Sequence, residues 1–589
     1  MFKLQLSKFK IKKFEREIEP QEILLDSLAQ KKEKEMGVSG RRLEFPLSQK
    51  ILRGFWFLFL VLIFVLLART FQLNVLEGEA LVQLSEENKF AIRLIQAGRG
   101  VIYDENLKQL VFNKPSFDFV CDGEVVEENL PHEALIFYEV RIKEFPGCEI
   151  KNNTVREYSS DSFFSHLIGY QRKTGESTGL EDYYNEVLKP KPGEIQIERD
   201  VHGNPISKEI VAMPQSGQSL VLNLDSELQE KLSQALAKSV RNTGASAGVA
   251  VALNPQNGGV LALVNFPSFN ANLFSQGITE EQWQEIESNP SDPLFNRAVA
   301  GSYLTGSTIK PLIASAVLEE GLINPDKSIY CGGGITIPNP WIANASTTKA
   351  DWAVHGWTDM RKALAESCNV YFYTVGGGYE NQEGLGPTRI KKYLELFGWG
   401  DKTGIDLPGE VEGFLPDKDW KKETWGQSWW DGDTYNLAIG QGFLQITPLE
   451  VANSFAAIAN GGTLYQPQVV KQIIDEEKRL VEEIESEIIR RNFIDPVNLQ
   501  IIREGMRQAV TGFQSPHASA VVLSSLPVKA AAKTGTAELG NDFYHNWVTV
   551  FAPYDNPQIV LTIMIEKVKG GQVAALPVAQ EVLNWYFSR

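Results

Sequence analysis

GVAVALNPQNGGVLALVNF, residues 248–266, contains two apolar runs on either side of an Asn-Pro-Gln-Asn-Gly turn, a pattern that predicts a β-hairpin. The runs NWVTVFAPY (546–554) and IVLTIMIEK (559–567) repeat this strand pattern near the other end, and a final helix is predicted from about residue 578 to 587. Mostly helical patterns separate the two sets of strands. The sequence therefore predicts an α+β domain in which one antiparallel sheet is flanked by helices.

The region before this domain has a different pattern. From residue 74 to about 216, short β-like runs such as VIYDENLKQLVFN (101–113) alternate with polar loops, without a long amphipathic helix. SLVLNLD (219–225) then begins a new strand, and apolar residues at helical spacing follow it. We therefore expect a β-rich stalk domain at residues 74–216 and the α+β domain at residues 217–589.

The segment GFWFLFLVLIFVLLA (54–68) carries no charge, and with its flanks it supplies about 20 apolar residues, enough to cross the hydrocarbon core of a bilayer. A cleaved signal peptide is the alternative, but roughly 50 residues precede the segment and no small-residue cleavage site follows it. The sequence predicts an uncleaved transmembrane helix at residues 51–73, after a tail at residues 1–50.

The distribution of charge predicts the orientation in the membrane. Residues 1–53 contain 13 Lys and Arg against 8 Asp and Glu, a balance of +5, and such a basic flank stays in the cytoplasm. Because the whole chain carries −17, the remainder carries −22, which argues against nucleic acid as a partner. We therefore expect a single-pass protein of the cell membrane whose N-terminus is cytoplasmic and whose folded domains are extracytoplasmic.

A candidate nucleophile lies in GSYLTGSTIKPLIASAVLEEG (301–321), where a glycine-containing turn precedes an apolar helix. Ser307 and Lys310 are three residues apart, so a helix places them on one face. The helix N-terminus directs backbone N–H groups toward a developing oxyanion, and burial lowers the pKa of Lys310 so that a neutral amine can accept the serine proton. Two other Ser-x-x-Lys pairs lack an apolar helix and are interpreted as chance matches: Ser7 with Lys10, and Ser346 with Lys349.

Two further motifs supply polar groups. ALAESCNVYFYTV (363–375) places Ser367 and Asn369 ahead of an apolar run, where a hydroxyl and an amide can relay protons and hold a substrate amide. Lys-Thr-Gly occurs three times, and only the third copy follows a run of small residues, as expected of a strand edge that a ligand approaches closely. The copies begin at Lys173, Lys402 and Lys533. The residues expected to bind substrate are Lys533, Thr534, Gly535 and Thr536.

The sequence gives little support for a metal site or a cofactor. The six histidines form no His-x-x-x-His pair, and the four cysteines form no Cys-x-x-Cys pair. We therefore expect neither a metal nor a cofactor, and we expect structural roles for His355 and His545. An exported domain permits disulfides, but the sequence does not reveal how the cysteines pair: Cys121, Cys148, Cys331 and Cys368.

Taken in order, STIK at Ser307, SCN at Ser367 and KTGT at Lys533 resemble the three motifs of penicillin-binding proteins and serine β-lactamases. Flanking stretches extend the resemblance from about residue 50 to the C-terminus and point to the class B penicillin-binding proteins. GDTYNLAIGQG (432–442) is most similar to the penicillin-binding protein 2 branch, with the division-specific branch as the alternative. Two departures, YLTGSTIKP for the commoner YPPGSTFKP and YDENLKQ without its usual glycine, alter no catalytic side chain.

The resemblance implies a serine-type D-Ala-D-Ala transpeptidase that cross-links peptidoglycan in cell elongation and reacts covalently with β-lactams. The substrates would be stem peptides ending in D-Ala-D-Ala. Because the stalk is too short and wrongly patterned for a glycan polymerase domain, the expected partner is a SEDS-type membrane glycan polymerase. The resemblance implies that Ser307 is the nucleophile, Lys310 its base and Ser367 the proton shuttle. Asn369 would be a ligand of Lys310 and of the substrate amide, and the N–H groups of Ser307 and Thr536 would form the oxyanion hole. The implied ligands of the substrate carboxylate are Lys533, Thr534 and Thr536.

Two alternatives use the same motifs. A D,D-carboxypeptidase or β-lactamase would pass the acyl group to water, and a noncatalytic scaffold would only activate the polymerase. A hydrolase needs a group that activates water beside the acyl-serine, and the nearby candidate is the carboxylate of Glu366. Since Glu366 precedes Ser367 on a predicted helix, its side chain points about 100° away, and we expect it to lie on the surface. The membrane anchor and the stalk favour transpeptidation.

Overall fold

The computed structural model describes residues 31, 32, 34–36, 48–159, 162–172, 174–200, 204–338 and 346–589. The chain divides into two compact units, residues 1–91 with 197–207 and residues 92–196 with 208–589. Most of the predicted cytoplasmic tail lies outside the described residues, as do three residues of the rejected motif matches: Ser7, Lys10 and Lys173.

The first unit contains the predicted membrane span. Helix α1 (Gln49–Phe71) continues through a π-helical turn (Gln72–Leu76), and α2 (Gly78–Lys89) follows. The 28 residues of Gln49–Leu76 form one helix long and apolar enough to cross a membrane, and none of its side chains is buried against protein. At 1.5 Å per residue this segment is about 42 Å long, more than the hydrocarbon core of a bilayer requires. Its outward-facing apolar surface is suited to contact with lipid.

The region from residue 90 to 216 is rich in strands, as the sequence predicts. Strands β3 and β5 pair antiparallel from Val111↔Tyr158 to Cys121↔Cys148, and a disulfide joins the two cysteines of the last pair. The cysteine pairing that the sequence left open is thus Cys121 with Cys148, while Cys331 and Cys368 are free. The strands are β1 (Phe90–Ile95), β2 (Ile102–Tyr103), β3 (Gln109–Cys121), β4 (Glu124–Glu127), β5 (Cys148–Tyr158), β6 (Gly193–Arg199) and β7 (Pro205–Ala212), and the helices are α3 (His132–Arg141), α4 (Ser165–Ile168), α5 (Gly179–Tyr183) and α6 (Asn185–Leu188).

A buried ion cluster holds this region together. Glu181 is fully buried, and each of its two carboxylate oxygens accepts a 2.7 Å hydrogen bond from the Nε of an arginine, Arg99 or Arg156. Burial alone would raise the pKa of Glu181, but the two guanidinium groups lower it. Because removal of one partner would leave a buried charge without compensation, the cluster fixes the relative positions of β5, α5 and the segment before β2.

The predicted α+β domain contains one five-stranded antiparallel sheet in the order β10-β9-β21-β20-β19. The predicted hairpin is β9 with β10, and β21 pairs with β9, so both ends of the domain build one sheet. The strands of this part of the chain are β8 (Ser219–Leu222), β9 (Ala247–Leu253), β10 (Val260–Phe266), β11 (Ile329–Cys331), β12 (Gly334–Pro338), β13 (Ser346–Ala350), β14 (Gly356–Thr358), β15 (Thr463–Tyr465), β16 (Val470–Ile474), β17 (Leu480–Glu483), β18 (Ile488–Arg491), β19 (Ala531–Gly540), β20 (Phe543–Ala552) and β21 (Ile559–Lys569).

Helices cover both faces of this sheet. Along β9, Ala250 and Ala252 belong to a core shared with two terminal helices, whereas Val249 and Val251 belong to the core around a central helix. This alternation is the period of two of a β-strand, so each face buries its own apolar layer. The helices are α7 (Ser226–Thr243), α8 (Ala271–Gln276), α9 (Glu280–Glu287), α10 (Arg297–Ala300), α11 (Lys310–Glu319), α12 (Met360–Glu366), α13 (Asn369–Gly377), α14 (Gly386–Leu396), α15 (Lys418–Trp425), α16 (Asp431–Ala438), α17 (Pro448–Ala459), α18 (Pro496–Thr511) and α19 (Ala575–Tyr586).

A second sheet runs from the predicted stalk into the predicted α+β domain. Strand β8 pairs in parallel with β2 and antiparallel with β16, within a seven-stranded sheet that also contains β3, β4, β5 and β17. The helices and sheets together give the α+β architecture that the sequence predicts, with the β-rich region ahead of it.

Candidate active site

Ser307 lies in a 3-10 turn (Gly306–Ile309) that leads directly into α11. Pro311 occupies the first turn of α11, where its missing N–H costs no hydrogen bond. The residues from Lys310 to Leu318 are all buried, so the apolar helix predicted behind the serine is present. Ser307 is partly exposed and lines a cleft of about 590 Å³. The hydroxyl therefore faces solvent at the N-terminus of a buried helix, where unpaired N–H groups favour negative charge.

Lys310 is the buried base candidate. Its Nζ donates hydrogen bonds of 2.6 Å to Asn369 Oδ1 and 2.7 Å to the backbone oxygen of Ser367, and lies 3.4 Å from Ser367 Oγ. The side chain is fully buried, and this desolvation lowers the pKa of Lys310 to about 8, although the Asp351 carboxylate acts in the opposite direction. With that pKa, about a tenth of the amine is neutral at pH 7. Lys310 can therefore accept a proton under ordinary conditions.

Ser367 connects the two lysines of the site. Lys533 Nζ donates a 2.8 Å hydrogen bond to Ser367 Oγ, the same hydroxyl that Lys310 approaches, and a 2.9 Å bond to the backbone oxygen of Thr534. Burial and the nearby Lys310 lower the pKa of Lys533 well below its usual value. Ser367 ends α12 with a left-handed backbone, φ 58°, which an L-residue adopts at a cost. That conformation turns the hydroxyl toward both amines.

Three glycines bring the backbone close around Ser307. Gly306 has φ +52°, and a Cβ there would lie 2.5 Å from the backbone oxygen of Thr536 on β19. At Gly535 a Cβ would lie 2.8 Å from the backbone oxygen of Thr305, and at Gly440 it would collide with the backbone of Gly306. The nucleophile turn, β19 and the GDTYNLAIGQG segment therefore pack backbone to backbone. Only glycine permits this contact, which sets the position of Ser307 beside Thr536.

Strand β19 forms one wall of the cleft. It is the edge strand of the five-stranded sheet, so one side of its backbone is available to an extended peptide. Thr534 and Thr536 line the cleft, whereas Lys533 and Gly535 are buried and do not. The eight residues that the sequence predicted as a site thus lie together: Ser307, Lys310, Ser367, Asn369, Lys533, Thr534, Gly535 and Thr536.

Several cleft residues were not found by sequence reasoning. Trp352 lines the cleft and packs edge to face on His355 and His517, with ring centroids 5.2 Å and 5.7 Å away. Gln441 lies in the GDTYNLAIGQG segment (432–442), whose sequence indicates a family and not a position in the cleft. Glu538 and Tyr544 extend the wall beyond Thr536. Alternation from Thr534 and Thr536 along the predicted strand could have located Glu538, whereas the other three depend on the folded arrangement of distant segments.

The residues of the rejected Ser-x-x-Lys and Lys-Thr-Gly matches that the structure describes do not line the cleft. Ser346 begins β13, a strand paired with β12, and Lys349 Nζ donates a 2.8 Å hydrogen bond to Asn436 Oδ1. A strand alternates its side chains, so Ser346 and Lys349 lie on opposite faces of it. Lys402 lies in a segment without helix or strand.

The expectation of a surface position for Glu366 is wrong. Its side chain is fully buried, and its carboxylate lies 2.7 Å from Nδ1 of His355. The predicted helix does extend through Glu366, but the loop that carries His355 lies against its side chain, and the backbone N–H of His517 also donates to its carboxylate. Burial alone would lower the pKa of His355, but Asp351 and Glu366 raise it. His355 is thus a buried polar residue between the carboxylates of Asp351 and Glu366, and the Glu366 carboxylate is bound to its ring.

The same region contains a possible set of metal ligands. Donor atoms of Asp351, His355 and Cys368 lie within 4.8 Å of one another, and Cys331 Sγ lies 2.8 Å from Cys368 Sγ. Nε2 of His355 is buried without a hydrogen-bond partner among the described residues. Thiolate, imidazole and carboxylate donors in this number fit Zn²⁺ better than Mg²⁺ or Ca²⁺. The prediction of no metal site rested on local spacing, which cannot detect donors from separate segments.

The site contains a serine at a helix N-terminus and a buried lysine of lowered pKa, and the family comparison identifies the class of enzyme. The profile of the penicillin binding protein transpeptidase domain matches residues 248–584, and that of the penicillin-binding protein dimerisation domain matches residues 122–222. The first match covers more than half of the chain, which therefore belongs to the penicillin-binding protein transpeptidase family and is a serine-type transpeptidase. The family predicted from the three motifs is confirmed.

Individual relatives point to the penicillin-binding protein 2 branch. The chain is 28% identical over 507 residues to the peptidoglycan D,D-transpeptidase MrdA of Haemophilus influenzae, covering 79% of this chain and 74% of that protein. The structure of a Helicobacter pylori penicillin-binding protein 2 in complex with MreC has a TM-score of 0.71 at 24% identity, covering 85% and 98% of the two chains. A solved structure of a peptidoglycan synthase complex, which concerns the coordination of polymerization and crosslinking, has a TM-score of 0.69 at 26% identity. The match covers 92% of this chain and 99% of that chain.

The lowered pKa of Lys310 predicts how acylation depends on pH. With Lys310 as the base for Ser307, only its neutral amine accepts a proton, and the rate constant for acylation by benzylpenicillin should then rise about tenfold per pH unit below the pKa and level off above about 8. Stopped-flow or quenched mass measurements between pH 6 and 9 would give this profile. A rate that is constant from pH 6 to 8 would contradict a lysine base with this pKa.

Proposed function

We propose that this membrane-anchored enzyme cross-links peptidoglycan as a D,D-transpeptidase, with Ser307 as the acylated residue. The observation that carries the proposal is the buried Lys310, whose amine has a pKa lowered to about 8 and hydrogen-bonds to Asn369 and the backbone of Ser367. This arrangement activates a serine without a histidine or a metal. The relatives named as peptidoglycan D,D-transpeptidases support the choice of substrate.

In the acylation step, Lys310 Nζ takes the Ser307 hydroxyl proton while Oγ attacks the carbonyl carbon of the penultimate D-Ala. The N–H groups of Ser307 and Thr536 stabilise the oxyanion, which accounts for the close packing of the nucleophile turn on β19. The C–N bond then breaks, and the proton passes through Ser367 Oγ to the departing amine of the terminal D-Ala. An acyl ester on Ser307 and free D-Ala result.

The acyl ester is resolved by an amine of a second stem peptide. That amine loses a proton through the same Ser367 and Lys310 groups as it attacks, and Ser307 recovers its hydroxyl proton. The substrate carboxylate binds to the hydroxyls of Thr534 and Thr536, which line the cleft. Lys533 lies behind these two threonines and supports the site, because its buried amine donates hydrogen bonds to Ser367 Oγ and to the backbone oxygen of Thr534.

A carboxypeptidase or β-lactamase needs a group that directs water at the acyl ester. Glu366 does not serve, since its buried carboxylate is bonded to His355. The penicilloyl adduct should therefore persist for many minutes to hours at neutral pH, with about one equivalent of antibiotic consumed per enzyme. The test follows free enzyme by intact mass after excess drug is removed. Recovery within seconds, with many equivalents hydrolysed, would identify a hydrolase instead.

We further propose a role in cell elongation beside a SEDS-type membrane glycan polymerase. The solved relatives include a penicillin-binding protein 2 bound to MreC and a peptidoglycan synthase complex that coordinates polymerization and crosslinking, which supports such a partner. Co-purification of the full-length chain with a co-expressed polymerase from detergent, with an unrelated single-span membrane protein as the control, would test this. Equal recovery of the two proteins would argue against a specific contact with the polymerase.

The orientation is proposed from charge. The balance of +5 over residues 1–53 favours a cytoplasmic N-terminus and would place residues 92–589 outside. Protease added to intact spheroplasts should digest the chain beyond the helix Gln49–Leu76 and spare a small N-terminal fragment. Protection of the large folded region would reverse the proposed topology.

A further inference from the structure

Among the residues that the structure describes, one residue of the charged types, Glu538, lines the active-site cleft. The other described lining residues are neutral polar, aromatic or apolar. Lys310 and Lys533 lie behind the surface and are fully buried. Glu538 is exposed, and it forms no ion pair with any residue that the structure describes. The substrate cleft therefore contains an acidic side chain that no described residue pairs with in an ion pair.

The position of Glu538 along β19 gives it a defined distance from the reacting centre. Thr534, Thr536 and Glu538 alternate along the strand, and these three are exposed or half-buried while Gly535 and Ala537 between them are buried. They therefore point to one face, into the cleft. At about 3.3 Å per residue, Glu538 lies some 7 Å beyond Thr536, which is two residues of an extended peptide.

Charge also fixes the direction in which a peptide would lie on β19. A C-terminal carboxylate is repelled by Glu538 and finds hydroxyl donors at Thr534 and Thr536. The scissile carbonyl then faces Ser307 beside Thr536, because the nucleophile turn contacts β19 there. The residues before D-Ala-D-Ala must consequently extend toward Glu538. The amino acid just before D-Ala-D-Ala thus comes opposite this carboxylate.

The surroundings of Glu538 suit a long cationic side chain. Tyr544 is its direct cross-strand neighbour and also lines the cleft, as do the apolar side chains of Val573 and Leu576. An aromatic ring and aliphatic groups accommodate methylene groups, and a carboxylate beside a tyrosine ring attracts an ammonium group.

We propose that Glu538 is a specificity-determining residue that binds the side-chain ammonium of a diamino acid placed immediately before D-Ala-D-Ala in the donor stem peptide. This inference rests on the proposed function and names the substrate class for that site. The contact is partly solvated, so its effect on rate should be about fivefold and should weaken as ionic strength rises.

The experiment uses the full-length enzyme in detergent and three synthetic pentapeptides ending in D-Ala-D-Ala. The residue before D-Ala-D-Ala is lysine, Nε-acetyl-lysine or norleucine, and D-Ala release is measured with hydroxylamine as a common acceptor. Wild type should show about fivefold higher kcat/KM for the lysine peptide, mainly through KM. Glu538→Gln should remove this preference, Glu538→Asp should retain part of it, and Glu538→Lys should reverse it.

Controls separate this inference from the proposed function. Glu483→Gln, at an exposed glutamate on β17, should leave the preference unchanged. Acylation by benzylpenicillin, which carries a carboxylate and no ammonium, should be as fast in Glu538→Gln as in wild type or faster, because the substitution removes no attractive contact with this drug and relieves repulsion of its carboxylate. An absent preference in wild type, or one that persists in Glu538→Gln, overturns the inference while D-Ala release still supports the proposed function. If Glu538→Gln affected only transfer onto an added amine acceptor, Glu538 would bind the acceptor and not the donor peptide, and the inference would also be overturned. No D-Ala release together with no benzylpenicillin adduct would contradict the proposed function itself.

Discussion

Replacement of Lys310 by alanine should slow acylation of Ser307 by benzylpenicillin by about 10³-fold, the usual range for loss of a general base. The other buried amine of the site, Lys533, keeps its own hydrogen bonds to Ser367 Oγ and to the backbone oxygen of Thr534 in this variant. The fold should survive, although Asn369 Oδ1 and the Ser367 backbone oxygen lose a donor, which costs about 1–3 kcal/mol each if they stay buried and unpaired.

The matched control is Lys349→Ala, in the Ser-x-x-Lys pair that lies on β13. Lys349 bonds to Asn436, so this variant should acylate at a rate close to that of wild type. Circular dichroism melting curves of both variants would separate loss of base from loss of fold. Near-normal acylation of a folded Lys310→Ala variant would mean that another group deprotonates Ser307.

Substitution of Gly306 by alanine should reduce acylation by about 100-fold, the usual cost of a displaced oxyanion donor. The new Cβ would lie 2.5 Å from the backbone oxygen of Thr536, and neither backbone can yield without moving the nucleophile turn away from β19. The N–H groups of Ser307 and Thr536 would then no longer point at one oxygen. Rapid-mixing measurements with benzylpenicillin would record the effect.

Gly321→Ala controls for backbone strain in this experiment. Gly321 also has a positive φ, +63°, but a Cβ there meets nothing within 4 Å. It should lower stability by roughly 1 kcal/mol while leaving the acylation rate unchanged. If both glycine variants acylate equally, the close contact between the nucleophile turn and β19 has no role in positioning the oxyanion hole.

The sheet and the reacting groups could be predicted because local patterns specify them. The Asn-Pro-Gln-Asn-Gly turn between two apolar runs fixes the β9–β10 hairpin, and the apolar run after Ser307 fixes α11. Burial of that helix in turn explains the lowered pKa of Lys310. These features depend on the period of side chains along one element, which a single sequence displays.

Other features depend on contacts between distant segments and could not be predicted in this way. Glu366 is buried because the loop that carries His355 covers α12, and nothing in the ALAESCN stretch indicates this. The left-handed backbone of Ser367 is strained, and the Ser367 hydroxyl contacts the amines of two lysines from remote elements, Lys310 and Lys533. The disulfide between Cys121 and Cys148 follows from the register of β3 and β5, which the order of cysteines alone does not give.

The most direct test of the central claim is to locate the covalent product. The full-length protein is exposed to benzylpenicillin, its intact mass is measured, and the modified peptide is sequenced by tandem mass spectrometry. The account predicts one added drug molecule, attached to the Ser307 side chain in the peptide that contains GSTIK. No adduct, or an adduct on Ser346 in the second Ser-x-x-Lys pair, would contradict it.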